Sequence, residues 1–310
     1  MEESRTAVVA ALLGNAALAL LKGVAAAATG SAAMLAETFH SIADTGNQVL
    51  LLVGMRWARR PADAIHPFGH GKNVYFWSFV VSMLLFTIGG AFSIWEAVRH
   101  WLHPAEKAPT LWAYGVLAGS FVFESISLGV GVHGLRRAAG RRSLREYWRD
   151  NRDPTLITVL LEDSAALISL VIAATGIWLA EATGNGRWDA AASAVIGTLL
   201  LVVAIVLAAE SHSLLLGERA PVWVERAIRE VVATDPAALR LVELHTMSLG
   251  PHRVLAALGV AFPRDLPAAG VAEAVERLQQ RVIERLDGIT DRRLVVIEPA
   301  TETEPVSERR

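Results

Sequence analysis

The sequence predicts an all-α domain of six membrane-spanning helices followed by a small α+β domain. Of the 310 residues, 53% are hydrophobic and 19% are charged, whereas an ordinary soluble domain carries about 25% charged residues. The charges are sparse up to about residue 215 and dense after it, as expected for a membrane domain joined to a soluble one. We therefore predict a transmembrane domain over 1–215, a C-terminal domain over 216–299 and a disordered polar tail over 300–310.

Six apolar segments are each long enough to cross a hydrocarbon core of about 30 Å, which takes about 20 helical residues. Gly, Pro and Asn residues, which favour turns, separate them. The first segment is expected to be a retained span, because no cleavage-like motif follows it. The predicted spans are 7–28, 32–56, 74–99, 111–135, 155–180 and 188–212.

Basic residues predict the orientation of these spans. Most of them lie in the connections after the second and fourth spans, and the opposite connections hold only Arg99, Lys107 and Arg187. By the positive-inside rule, both termini of this multi-pass cell-membrane protein are then cytoplasmic. The Arg-rich connection 136–152 either contacts anionic membrane lipid or only fixes the topology.

The polar third of the chain has the periodicity of a mixed domain. Amphipathic spacing predicts two helices, alternation predicts three strands, and Gly250 with Pro251 marks a turn between the first two strands. The predicted order is helix 222–234, strands 239–247 and 253–262, helix 268–286 and strand 293–298.

Composition also excludes several functions. A net charge of −2 gives no sign of nucleic-acid binding, and the absence of cysteine excludes thiolate metal ligands. A metal site must therefore use His, Asp, Glu or Asn. No phosphate-binding loop of the form Gly-x-x-x-x-Gly-Lys is present, so no ATP-driven step is expected.

A polar stripe lies in the second span at helical spacing: Glu37, His40 and Asp44, with Asn47 and Gln48 one turn further on. Residues three and four apart share one helix face. An ionised side chain at bilayer depth costs about 2.5 to 3.5 kcal/mol on insertion scales, so the stripe needs a buried partner. Imidazole and carboxylate are ligands for divalent cations, and the stripe predicts such a site.

The fifth span supplies further carboxylates, Glu162 and Asp163. If it packs against the second span, His40, Asp44 and Asp163 would suffice for a three-ligand site completed by water or another carboxylate. Adjacent helical residues point about 100° apart, so Glu162 and Asp163 cannot both face the same partner squarely.

Structural alternatives exist for the other intramembrane charges. We expect Glu37 to pair with Lys22 or to line the cavity rather than to bind metal, and Lys22 to be a counter-ion or to extend to the interface. For Glu124 in the fourth span, such a pairing and a functional role are equally expected.

The connection after the second span contains a separate candidate site, Asp63, His66 and His70. Their spacing of three and four residues suits a metal near the cytoplasmic surface, although loop histidines often make only hydrogen bonds. Pro67 and Gly69 exclude a regular helix, so ligation depends on the loop geometry.

These residues together resemble the cation diffusion facilitator family of six-span zinc and manganese exporters. The resemblance is carried by HSIAD at 40–44, PADAIHPFGHGK at 61–72 and EDS at 162–164, and the layout covers nearly the whole chain. Within the family the chain is most similar to the branch that includes the eukaryotic zinc transporter 9 proteins.

The resemblance implies a homodimer with a metallochaperone-like αββαβ C-terminal domain, a central site between spans two and five, and metal export coupled to inward proton flow. The fourth central ligand position falls on Val159, which cannot bind metal, so Glu162, Glu124, Asn47 or water would replace it. Zinc is the leading ion, with manganese, cobalt or iron(II) as alternatives. The implied metal ligands are His40, Asp44, Asp163 and Glu162 in the membrane and Asp63, His66 and His70 in the loop.

The resemblance also bears on the C-terminal domain. His245 matches a ligand position and Glu298 lies near one, but Leu258 occupies a histidine position, so the binuclear site of bacterial members is expected to be missing or reduced. Lys72 matches a residue that pairs with an acid on span six, where this chain has Leu216; Glu210 or Glu218 would have to serve.

The expected function is therefore transport, with no catalytic or cofactor-binding residue and no resident cofactor. The partners are divalent metal ions, protons, membrane lipid and a second copy of the chain, without nucleic acid. A membrane metalloenzyme using His66 and His70 is disfavoured, because the chain lacks His-Glu-x-x-His. A metal-sensing or scaffold protein is the remaining alternative.

Overall fold

The computed structural model describes the backbone of residues 2–103, 111–139, 154–250 and 253–300, and the side chains of 12–103, 111–137, 160–250 and 253–300. These residues form two compact units. The first contains the described parts of Met1–Gly54, Phe76–Arg141 and Pro154–His212, and the second contains those of Met55–Tyr75 and Ser213–Arg310. Most of the basic connection 136–152 and residues 301–310 of the predicted tail lie outside the described residues.

Long helices account for the apolar part of the described chain. Gly30, with a φ of 64°, allows the reversal between the first two of them. They are α1 Glu2–Thr29, α2 Ala32–Ala58, α3 Asn73–Leu102, α4 Leu111–Ala139, α5 Pro154–Thr183 and α6 Arg187–Leu216.

Five of these helices are long and apolar enough to cross a membrane: α1, α3, α4, α5 and α6. They correspond to all the predicted spans except the second. The second is α2, whose 27 residues would extend about 40 Å but whose polar stripe lowers its hydropathy.

The helix α3 contains a feature that the apolar pattern did not predict. Residues Leu85–Ala91 form a π-helical segment within it. There α3 approaches α6 closely, because a Cβ on Gly197 would lie 3.0 Å from the Gly90 carbonyl oxygen. Glycine at these positions permits backbone contact between the two helices.

The start of α2 is held by a carboxylate from α6. Asp189 accepts hydrogen bonds from Ser31 Oγ and the Ala32 backbone N–H, both at 2.6 Å. It also accepts a longer bond of 3.4 Å from the Ala33 N–H. The first N–H groups of a helix have no partner within the helix, so Asp189 supplies the acceptors that α2 lacks.

In the second unit, helices cover one face of a three-stranded sheet. The strand order is β1-β2-β3, with β1 and β2 antiparallel and β2 and β3 parallel. Val254, Ala256, Leu258 and Val260 alternate along β2 and pack in a core with both helices. The elements are α7 Val222–Ala233, β1 Arg240–Gly250, β2 Arg253–Ala261, α8 Ala268–Arg285 and β3 Val295–Ala300.

Candidate metal sites

The polar stripe of α2 lies in the interior of the helical unit. Glu37 and Asn47 are fully buried, His40 is 1% exposed and the Asp44 side chain is 16% exposed. Their spacing places them on one face, as predicted from the sequence. The lipid-facing alternative would have left these side chains exposed on the surface of this unit.

Ser169 of α5 orients the His40 ring. The Ser169 hydroxyl donates to the Ala166 carbonyl at 2.9 Å, and its oxygen lies 3.4 Å from His40 Nδ1. With the hydroxyl proton directed to Ala166, Ser169 accepts from Nδ1–H, which assigns the proton to Nδ1 and a lone pair to Nε2. Nε2 lies 3.3 Å from Asp44 Oδ2 and makes no hydrogen bond in the described structure.

The two carboxylates of α5 have different partners. Asn47 Nδ2 of α2 donates to Glu162 Oε1 at 2.7 Å. Ser127 Oγ of α4 donates to Asp163 Oδ2 at 2.9 Å. Glu162 is therefore the carboxylate that contacts α2, and Asp163 contacts α4, as the 100° between adjacent helical residues requires.

The three residues predicted to share a metal ion in the membrane do not bring their ligand atoms close together. Within the described residues, no His, Asp or Glu ligand atoms from three side chains of this unit lie within 4.8 Å of one another. The site from His40, Asp44 and Asp163 stays a prediction. The side chain of Val159, the fourth position, lies outside the described ones, and Glu124 is buried on α4.

Several buried acceptor atoms of the stripe have no hydrogen-bond partner in the described structure. They are Glu37 Oε1, His40 Nε2, Asp44 Oδ1, Asn47 Oδ1 and Gln48 Oε1. A buried polar atom without a partner costs free energy. Each of these atoms carries a lone pair with which it can bind a cation or accept a hydrogen bond.

Lys22 pairs with Glu37, as the sequence analysis expected. Lys22 Nζ lies 2.9 Å from Glu37 Oε2 and donates to Ser41 Oγ at 2.8 Å. Lys22 is 1% exposed and Glu37 is 0% exposed. The pair neutralises one buried carboxylate and links α1 to α2.

The loop after α2 brings its three predicted ligands together. One ligand atom from each of Asp63, His66 and His70 lies within 4.8 Å of the other two. His70 Nδ1 lies 3.2 Å from the Pro61 carbonyl oxygen, which can only accept, so His70 Nε2 carries a lone pair. Nε2 lies 3.5 Å from Asp63 Oδ2. This donor set fits a divalent cation.

Backbone hydrogen bonds hold the Asp63 carboxylate. The His66 N–H donates to Asp63 Oδ1 at 2.6 Å and the Ile65 N–H donates to it at 2.9 Å. The first of these bonds is the main reason that the pKa of Asp63 is lowered from its ordinary value. Asp63 is thus kept in the charged form that binds metal.

The same loop is fixed within the second unit. Lys72 Nζ donates to the Leu215 carbonyl at the end of α6 at 3.2 Å, which is the end where a cation is favourable. A Cβ on Gly71 would clash with the Leu249 carbonyl oxygen. This close approach requires glycine at position 71.

In the C-terminal domain, His245 is 73% exposed on β1 and its Nε2 lies 3.4 Å from Glu243 Oε2. Glu243 and Glu298 both pair in register with Gly259, on opposite sides of β2. No third ligand converges with His245 among the described residues, so a metal site here has no support from this arrangement.

The sequence analysis missed three residues that organise the helical unit: Ser127, Ser169 and Asp189. Ser169 follows Glu162 by seven residues, which puts both on one face of α5, and this spacing could have identified it. For Ser127 and Asp189 the relevant contacts lie between helices distant in sequence, and no local pattern marks them.

Comparison with known proteins gives consistent matches. Residues 8–216 match the family described as the cation efflux transmembrane domain. The chain is 37% identical over 229 residues to the mitochondrial proton-coupled zinc antiporter SLC30A9 of Homo sapiens, covering 73% of this chain and 40% of that protein.

Two further relatives extend the comparison. Metal tolerance protein C4 of Arabidopsis thaliana is 35% identical over 220 residues, 70% of this chain and 48% of the relative. Cation-efflux pump FieF of Cronobacter sakazakii is 26% identical over 289 residues, 92% of this chain and 89% of the relative. The chain spans about 40% of the length of the vertebrate relatives it matches.

Proposed function

We infer that this chain, which belongs to the cation diffusion facilitator family of transporters, exports a divalent metal ion in exchange for protons. Zinc is the leading candidate for that ion. The family consists of multi-pass membrane transporters and not enzymes. The human relative is described as a proton-coupled zinc antiporter, which supports zinc over manganese, cobalt or iron(II).

The observation that carries the proposal is the buried stripe of α2. His40 presents an unprotonated Nε2 beside Asp44, and both have acceptor atoms without a partner in the described structure. The transported ion would be bound by these two residues together with a carboxylate of α5, Glu162 or Asp163. Imidazole nitrogen and carboxylate oxygen suit zinc and other first-row divalent ions.

Proton coupling follows from the chemistry of these ligands. An imidazole must be neutral and a carboxylate ionised to bind a cation, so metal binding releases protons and protonation expels metal. If the site opens alternately to the two sides, protons from the more acidic side drive metal out. Rocking of the helices in alternating access would provide the two openings.

The loop site would bind the same class of ion near the cytoplasmic surface. Asp63, His66 and His70 would hold it, and a bound ion would add a crosslink within the loop.

The proposed function also implies a domain organisation and a membrane orientation for the whole chain. We take 1–215 as a six-span transport domain in which α2 is the sixth crossing, and 216–299 as a cytoplasmic metallochaperone-like domain that forms a homodimer. Both termini would be cytoplasmic and the protein would lie in the cell membrane. The matched family region and the basic connections support this assignment.

Zinc flux in proteoliposomes tests the proposal. When a proton gradient is imposed, wild-type protein should move zinc in the direction opposite to the proton flow. Asp44→Ala should abolish that zinc flux because it removes a ligand from the buried stripe. Thr45→Ala is the matched control, since the Thr45 hydroxyl donates to the Ser41 carbonyl of its own helix, and it should keep the flux.

Unchanged flux in Asp44→Ala would contradict the role of the stripe. Zinc binding by the wild type without any flux would instead favour the metal-sensing or scaffold function. Competition among zinc, manganese, cobalt and iron(II) for uptake into the same vesicles would identify the transported ion.

A further inference from the structure

We propose that the chain binds anionic membrane lipid with a surface at the cytoplasmic end of α2 and in the loop that follows it. The inference goes beyond transport and depends only on the proposed crossing of the membrane by α2, which would bring this end of the helix to the lipid headgroups. This juxtamembrane surface consists of Arg56, Trp57, Arg59, Arg60, Ile65 and Phe68.

Three exposed arginines lie at the end of α2. Arg56 belongs to the last turn of the helix, and Arg59 and Arg60 follow shortly after its end at Ala58. Basic residues at the end of a membrane-spanning helix lie near the lipid headgroups, where each strengthens association with an anionic surface about fivefold. The three together therefore favour anionic over neutral lipid.

The carboxylate of the same segment does not neutralise these arginines. Asp63 is the single acidic residue between 55 and 75. Its carboxylate lies 3.3 Å from His66 Nδ1 and 3.5 Å from His70 Nε2, and it accepts two backbone hydrogen bonds of the loop. The positive charge of the arginines is therefore available to an external anion.

Trp57 gives this end of α2 the composition of a membrane interface. Its side chain is 39% exposed, and the guanidinium carbon of Arg60 lies 5.4 Å from the centre of the indole ring. Tryptophan is enriched at the level of the headgroups. There the ring contacts the apolar boundary while the neighbouring cation contacts phosphate.

The loop after α2 presents two large apolar side chains on its surface. Ile65 is 83% exposed and Phe68 is 47% exposed. The His66 carbonyl oxygen accepts from the Asp63 N–H at 3.2 Å and from the Gly69 N–H at 2.9 Å, so two turns fix the backbone that carries both side chains. Their exposure is thus a property of the loop fold, and exposed apolar groups of this size mark a contact surface.

The apolar side chains stay close to the arginines. His70 Nδ1 lies 3.2 Å from the carbonyl oxygen of Pro61, which directly follows Arg60. The two ends of the loop are thereby held together, with Ile65 and Phe68 between them. Binding to a lipid interface increases both with the apolar area that is buried and with the attraction of cations to anionic lipid, and this surface offers both.

The charge of the surface favours lipid over a second copy of the chain. In an isologous contact the same patch would face itself, which would bring the three arginines toward their own equivalents. Like charges across an interface oppose association. Anionic headgroups instead complement the arginines, and the acyl boundary beneath them accommodates the apolar side chains.

Fluorescence quenching in lipid nanodiscs tests the proposal. Because the chain has no cysteine, Ala64→Cys gives the full-length protein a single site for a fluorophore next to Ile65. The discs would contain phosphatidylcholine, alone or mixed with phosphatidylglycerol, and a lipid with a nitroxide on its headgroup. Phosphatidylglycerol should increase the quenching, and added salt should reverse that increase because it screens the charges.

Two variants of the labelled protein separate the charged and apolar contributions. Ile65→Ser with Phe68→Ser should lower the quenching in both kinds of disc, because the apolar contact is lost. The increase caused by phosphatidylglycerol should disappear in the triple variant Arg56→Gln, Arg59→Gln and Arg60→Gln.

A second triple variant is the matched control for net charge. It removes three exposed arginines of the C-terminal domain and should be quenched like the labelled parent protein. Its substitutions are Arg226→Gln, Arg229→Gln and Arg264→Gln.

Equal quenching with and without phosphatidylglycerol in the labelled parent protein would overturn the proposal. Light scattering in detergent gives a second check: if Ile65→Ser with Phe68→Ser converted dimers to monomers, the apolar side chains would belong to a contact between copies and the lipid assignment would fail. Neither measurement uses zinc or a proton gradient, so both outcomes are independent of transport.

Discussion

The ion pair between Lys22 and Glu37 is fully buried in the helical unit, with side chains 1% and 0% exposed. Removing one partner of a buried pair leaves the other charge without compensation and costs about 3 to 5 kcal/mol. Removing both charges avoids most of that cost. The pair therefore allows a sharp double-mutant test.

We expect Lys22→Met to lower the midpoint of thermal unfolding in detergent strongly, because Glu37 is left buried and charged. Lys22→Met with Glu37→Gln should recover most of the loss, giving a coupling energy between the two sites. Losses that simply add would show that the two side chains do not stabilise each other.

The loop site predicts a distinct pH behaviour. The pKa of Asp63 is lowered mainly by the hydrogen bond from the His66 N–H, so this carboxylate stays charged as the pH falls toward mild acidity. Protonation of Asp63 should therefore contribute little to any loss of zinc binding in the loop at mildly acidic pH.

Proton release on zinc binding measures this directly. Asp63→Asn should weaken zinc binding without changing the number of protons released per zinc at mildly acidic pH, because the Asp63 carboxylate is already ionised. A reduced count in Asp63→Asn would mean that its carboxylate is protonated before metal binds.

Residue spacing predicted the stripe of α2, because helical periodicity fixes which side chains share a face. The cost of an isolated buried charge led us to expect Lys22 as a partner for Glu37, with lining of the cavity as the alternative. The partner of each α5 carboxylate could not be predicted in this way. Glu162 and Asp163 are chemically similar neighbours, and the rotation of α5 against α2 and α4 decides which of them each helix meets.

At the scale of elements, the contact between α3 and α6 depends on glycine. An added Cβ at Gly197 would lie 3.0 Å from both the Gly90 carbonyl oxygen and the Ile94 backbone nitrogen. Backbone atoms cannot move aside as a flexible side chain can, so the helices would have to separate.

We expect Gly197→Ala to lower the unfolding midpoint in detergent, although alanine is favoured over glycine in a helix by about 1 kcal/mol. Gly115→Ala is the matched control, since no atom lies within 4 Å of its added Cβ, and it should leave the midpoint unchanged or raise it. Equal effects of the two substitutions would contradict the proposed steric cause.

Apolar length predicted the positions of the long helices well, because about 20 residues suffice to cross a bilayer. The π-helical segment Leu85–Ala91 was not predicted by such reasoning; it contains Gly90, which lies close to Gly197 of α6. The predicted and observed bounds of the strands differ by a few residues. The first strand was predicted to end at 247, but β1 extends to Gly250, which pairs with Arg253 of β2.

For the whole molecule, the orientation in the membrane stays a prediction, and cysteine labelling can test it. The sequence contains no cysteine, so a single introduced cysteine is a unique label. Ile65 is 83% exposed in the loop after α2, and Asn185 is exposed between α5 and α6.

With right-side-out vesicles, a membrane-impermeant maleimide should label Asn185→Cys at once and Ile65→Cys only after permeabilisation. This outcome follows from the excess of basic residues in the connections after the second and fourth spans. The reverse pattern would invert the proposed direction of transport.

The carboxylate of Asp189 has a mechanical consequence for the helix that bears the stripe. Sliding of α2 past α6 at this end would strip acceptors from the Ser31 hydroxyl and the Ala32 N–H, both held at 2.6 Å. If α2 moves during transport, we therefore expect this end to stay fixed and the opposite end of the helix to be displaced furthest. Spin-label distances across the membrane should accordingly change least beside Ser31 when the proton gradient is reversed.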